Sequence, residues 1–90
     1  MNTPRIENME GRTGGKVANQ FKIFAEDGVY FQSYSTIIAF KPYGDGKIRL
    51  SREAWDYSMT TGKYRNKFFG ENKAQTEKKI KAGVYELVDF

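Results

Sequence analysis

The stretch Phe21-Lys22-Ile23-Phe24-Ala25-Glu26-Asp27-Gly28-Val29-Tyr30-Phe31-Gln32-Ser33-Tyr34 decides the fold class. Phe21, Ile23 and Ala25 share one side of its first half and Lys22 and Phe24 the other, which is the period of a strand. Glu26-Asp27-Gly28 supplies a turn, because Asp-Gly accommodates the positive φ angles of a tight hairpin. Val29 to Tyr34 then resumes with aromatic residues that suit strands. A β-hairpin is the seed of the fold.

Reading outward from this seed, Ile37 to Lys41 predicts a third strand, Pro42 to Gly46 a turn, and Lys47 to Leu50 a short fourth strand. The period changes after Leu50. Ser51 is placed to cap a turn through Trp55, and Thr60 and Thr61 to cap a helical segment through Phe69, with Tyr64 and Phe68 on one face. Gly62 argues against one unbroken helix from 52 to 69, and Gly70 closes the segment. Asn72 with Gln75 reads as a capping box opening a second helix, and Gly83 as its stop. Val84 to Val88 alternates again. The predicted fold is α+β: an antiparallel meander of about four strands, two helical segments and a C-terminal strand returning to the sheet. Residues 1–18, punctuated by Pro4, Gly11, Gly14 and Gly15, read as a flexible N-terminal arm, and residues 19–90 as a single domain.

The chain contains neither cysteine nor histidine. Disulfides, thiolate or imidazole metal ligands, Ser-His-Asp triads and cysteine nucleophiles are therefore excluded. Carboxylate pairs remain, but Glu26-Asp27 belongs to a turn and Glu53 with Asp56 to a helix start, places acids occupy for structural reasons. No catalytic, cofactor-binding or metal-ligating residue is assigned, and the expectation is a protein that is not an enzyme. Gly11 to Lys16 superficially resembles a phosphate loop, yet Glu10 and Val17 stand where that motif needs glycine and a hydroxyl residue. No apolar run approaches the roughly 18 residues of a membrane span. The N-terminus lacks the apolar centre of a signal peptide, so the cytoplasm is the expected location.

Charge is unevenly distributed. Residues 47–83 carry ten basic side chains against four acidic ones, while residues 1–46 balance. Basic helices interleaved with aromatic rings suit phosphates and stacked bases, whereas a solvated lysine face is the plainer reading. Tyr57, Lys63, Tyr64 and Arg65 are the candidate contact residues of this segment. Replacing Lys63 and Arg65 by alanine is expected to weaken binding and leave the melting temperature unchanged. Asp56 or Glu53 pairing with Arg65 would instead tie the helical pieces together. Tyr30, Gln32 and Tyr34 form a second candidate surface on one strand face. That face is either a recognition surface or is covered by the helices.

Asn19-Gln20-Phe21-Lys22-Ile23, Tyr30 to Tyr34 with Ile37-Ile38-Ala39, Trp55-Asp56-Tyr57-Ser58, Thr60-Thr61, Lys63 to Asn66 and Lys79 to Gly83 resemble a family of small uncharacterised proteins. Those proteins are encoded by bacteriophages and other mobile elements. Ser51-Arg52 and Val88-Asp89-Phe90 depart from the family pattern. The resemblance implies a phage or mobile-element product, with counter-defence or DNA processing as its setting, and transfers no residue role. The expected function is a small non-enzymatic binding or accessory protein that engages a host or phage macromolecule. The alternative is a nucleic-acid-binding protein using residues 47–83. The partner classes are a host or phage protein, nucleic acid and a second copy of the chain; a membrane and a cofactor are not among them.

Overall fold

The computed structural model describes residues 5–11 and 13–90. Its elements are β1 (Arg5–Glu10), β2 (Lys16–Phe24), β3 (Gly28–Ser33), β4 (Thr36–Pro42), β5 (Ile48–Ser51), α1 (Met59–Phe69), α2 (Lys73–Lys81) and β6 (Tyr85–Val88). The strands form one six-stranded sheet in the order β1-β2-β3-β4-β5-β6. Neighbours from β1 to β5 are antiparallel and β6 runs parallel to β5, so the helical pair is the crossover that parallel pairing requires. The α+β class stands, and the sheet is a larger, mixed one than the four-stranded meander expected.

The principal correction falls on the N-terminal arm. Residues 5–10 and 16–18 belong to strands β1 and β2, while Met1 to Pro4 and Arg12 lie outside the described residues. The glycines that looked like breaks make a hairpin turn, with the Gly14 N–H donating to the Gly11 carbonyl at 3.1 Å. Strand β1 escaped sequence reading because it is an edge strand. Arg5, Glu7 and Glu10 are exposed, and Met9 is its one buried side chain. Charge along an edge discourages further strand pairing and also hides the apolar alternation.

Local signals account for the helices. Ser58 caps α1, its Oγ accepting from the Thr61 N–H at 3.1 Å, two residues before the Thr60–Thr61 start expected. Residues 52–57 form turns, tied by the Ala54 N–H donating to Ser51 Oγ at 3.1 Å. Gly70 ends α1 at φ 69°, a left-handed conformation that glycine adopts without penalty. Asn72 and Gln75 complete the expected capping box of α2.

One face of the sheet carries the core. Glu7, Lys22, Phe31, Ala39, Leu50 and Leu87 pair in register across all six strands. Phe31, Ala39 and Leu50 in this row are fully buried and pack with Tyr64 and Phe68 of α1. The Phe31 and Phe68 rings stack at 5.7 Å, and Ser33 Oγ hydrogen-bonds Thr61 Oγ1 at 2.9 Å. Both helices therefore cover the face that holds Phe31 and Ser33.

Gln20 departs from this apolar pattern. It is 1% exposed, and neither its Nε2 nor its Oε1 has a hydrogen-bond partner. A buried amide without partners forfeits its hydration for nothing in return. Gln20→Met is expected to stabilise the fold by about 1 kcal/mol, raising the melting temperature by roughly 4–8 °C. A thermal melt that falls instead would show that the amide is satisfied in solution.

Candidate functional site

A second row crosses the sheet beside the core row and points the other way. It runs Ile6, Ile23, Tyr30, Phe40, Arg49 and Glu86, again pairing in register through every strand. Phe21, Gln32 and Ile37 flank it on the same face. None of these side chains belongs to the core cluster under the helices. Ile6 is 65% exposed, Phe21, Ile23, Tyr30 and Ile37 are half-buried, and Phe40 is buried beside Tyr30 and Gly28. The sheet thus presents a largely apolar face that no helix covers.

Local contacts shape this face. Tyr30 and Phe40 rings meet at 4.5 Å, and Phe90 leans edge-on against Tyr30 at 6.2 Å. Gly28 makes room for the Phe40 ring. A Cβ at position 28 would lie 2.6 Å from that ring and 2.3 Å from the Lys41 carbonyl oxygen. Arg49 and Glu86 are the charged members of the row and pair at 3.6 Å. Tyr34 lies at the margin, in the two-residue loop between β3 and β4, 53% exposed and held at φ 56°. Such a φ is uncommon for an aromatic residue and normally falls to glycine or asparagine. The Gln32 amide donates to the Tyr34 carbonyl at 2.6 Å and fixes this loop from the open face.

The helical candidates separate into two groups. Lys63 and Tyr57 are exposed. Tyr64 is 6% exposed and Arg65 1%, so neither presents a side chain to a partner. Burial has a clear cause in each case. Tyr64 and Phe68 form the i, i+4 stripe that seats α1 on the sheet. Arg65 Nη1 donates to the Trp55 carbonyl at 2.7 Å and to Asp56 Oδ1 at 3.1 Å, while Nη2 donates to Asn66 Oδ1 at 2.9 Å. Its guanidinium also lies 5.1 Å from the Trp55 ring centre. Arg65 is the tie between the 52–58 turns and α1.

The basic surplus of residues 47–83 is partly neutralised. Arg49, Arg52, Arg65, Lys73 and Lys79 each pair with a carboxylate. Lys47, Lys63, Lys67, Lys78 and Lys81 make no ion pair with the described residues; Lys47 precedes β5, and the other four stand on α1 and α2. The helical lysines and the open-face rings therefore lie on opposite layers of the molecule.

Two carboxylates of the helical layer are held ionised. Burial works against Glu71, but hydrogen bonds from Lys79, Thr76 and Tyr85 outweigh it and leave its pKa below the ordinary 4.5. Burial likewise opposes Asp56, and Lys73 and Arg65 overcome it. A depressed folded-state pKa stabilises the fold above the unfolded value, and that stabilisation is lost as pH falls through the folded value. Melting temperature should therefore drop on acidification below about 4.5. Glu71→Gln should lower it at neutral pH and flatten the acid limb; an unchanged limb would assign the acid sensitivity elsewhere.

Among the described residues no group of three or more Asp or Glu side chains converges as a metal site would require. No helix of the described residues is long and apolar enough to cross a membrane. Sequence reasoning missed Ile6, Phe21, Ile23 and Ile37 as one surface. The available signal was the run Ile37 to Phe40, where apolar side chains fall on both faces of a strand.

A model of a family of unknown function, DUF8033, matches residues 5–83, and the chain belongs to that family. Neither a curated protein nor a solved structure matches the chain.

Proposed function

We propose that this DUF8033 member is a small non-enzymatic binding protein that engages another protein chain through the open face of its sheet. The observation carrying this reading is the group Ile6, Ile23 and Tyr30, flanked by Phe21 and Ile37, on the sheet face that no helix covers. A sheet with apolar side chains on both faces normally buries both, and contiguous exposed apolar surface marks protein contact. The sequence resemblance supports the setting, an accessory product of a phage or mobile element acting in the host cytoplasm. Affinity capture from cells expressing the tagged chain tests the reading, comparing the parent with Ile23→Lys and with Lys63→Ala/Lys67→Ala. Loss of the captured polypeptide from Ile23→Lys alone is the expected result. Equal capture by parent and Ile23→Lys would overturn it.

Nucleic acid is the second reading, favoured by Lys63 and Lys67, exposed cations one turn apart on α1 that make no ion pair with the described residues. Binding through phosphates would weaken steeply with salt and would be lost in Lys63→Ala/Lys67→Ala.

A further inference from the structure

We infer that the chain docking on the open sheet face is a second copy of this protein, so that two sheets pack face to face in a symmetric dimer. The inference rests on the docking reading above and names its partner. Three observations single out a second copy.

Charge is the first. The face carries Arg49 and Glu86 as its charged pair-row members, and these already neutralise each other. A partner of opposite net charge would find nothing there to recognise. Four of the five surplus cations, Lys63, Lys67, Lys78 and Lys81, occupy α1 and α2, on the far side of the sheet. Two positively charged copies meeting sheet to sheet keep those lysines as far apart as the fold permits. Contact through the helices would oppose them directly.

Dimensions are the second. The molecule measures 34 × 34 × 21 Å, and its six-stranded sheet is one of its two layers. The open face of that layer has room for the roughly 800 Å² per partner that a stable interface buries. Two such sheets pack about 10 Å apart, the spacing of a β-sandwich.

Self-complementarity is the third. Apolar side chains concentrate on β1 to β4, and the Arg49–Glu86 pair stands at the β5–β6 flank. A two-fold axis over the β1–β4 region sets apolar patch on apolar patch and leaves both ion pairs at the rim. This is the arrangement of apolar centre and polar margin found in homodimers.

Sedimentation equilibrium of the full chain across a wide dilution series tests the inference. The expected mass approaches twice the 10.4 kDa of one chain and falls toward a single chain on dilution. Ile23→Lys places a charge at the centre of the face. Ile6→Lys does the same at a position 65% exposed, where folding does not depend on the side chain. Each should raise the dissociation constant about tenfold or more with an unchanged far-ultraviolet spectrum. A monomer at every concentration overturns the inference. So does a dimer indifferent to both variants yet dissociated by Lys63→Glu with Lys78→Glu. A monomer that loses a captured polypeptide of different mass in Ile23→Lys overturns the second copy and leaves the docking reading standing. A monomer whose capture is unaffected overturns both.

Discussion

Replacing Arg65 by alanine is expected to lower the stability of the fold by about 3 kcal/mol, which for a domain of this size is a fall of roughly 12–24 °C in melting temperature. The side chain is 1% exposed and has three hydrogen-bond acceptors. Truncation strands the Trp55 carbonyl and the Asn66 side chain, removes the cation from the Trp55 ring, and leaves Asp56 with Lys73 as its one pairing partner. Asp56 is partly solvated, which keeps the expected loss at the lower end for a broken buried pair. Arg65→Lys should recover little of it, because an ammonium cannot span the two sides of the planar fork. Lys63→Ala, two residues away and exposed, should stay within about 0.5 kcal/mol of the parent. Urea denaturation of the three variants measures these differences. A normal midpoint for Arg65→Ala would return Arg65 to the contact surface where sequence reasoning placed it.

Phe31→Ala is expected to cost about 4 kcal/mol. Phe31 is wholly buried at the centre of the sheet, in register between Lys22 and Ala39, with the Phe68 ring stacked on it. Removing the ring opens a cavity under α1 that neither the paired strands nor the helix can collapse to fill. Folded domains of this length hold only about 5–13 kcal/mol in total, so the variant approaches the threshold of folding. Phe31→Leu should lose less than half as much. Tyr30→Ala, the adjacent residue on the opposite face, should cost about 1 kcal/mol in the isolated chain. The contrast between neighbours measures directly which face the helices cover. Similar losses at both positions would mean that the second face is also packed.

The fold was legible wherever its determinants are close in sequence. The hairpin of residues 21–34, the Ser51 turn, the Asn72–Gln75 box and the glycine stops at 70 and 83 each depend on a few neighbouring residues. Strand β1 depends on β2 instead, and its own side chains are those of a charged edge. The candidate contacts divide along the same line. Alternation placed Tyr30, Gln32 and Tyr34 on one strand face; Tyr30 and Gln32 do share it, but β3 ends at Ser33 and Tyr34 falls in the following loop at φ 56°. Lys63 and Arg65 are near neighbours with the same charge sign, yet one is solvated and the other buried. The difference is set by Trp55 and Asp56, which a turn folds back across α1.

The sequence by itself determined strand period, turn positions, helix caps and the absence of cysteine and histidine chemistry, because these are local or compositional properties. Only the tertiary structure decided which side of the sheet the helices occupy. Apolar residues stand on both faces from Phe21 to Phe40, so alternation identifies the two faces without ranking them. The helical crossover from β5 to parallel β6, and the seating of Phe68 and Thr61 on Phe31 and Ser33, commit the helices to one face. The opposite face, with Ile6, Ile23 and Tyr30, carries no helix because the fold has only two layers.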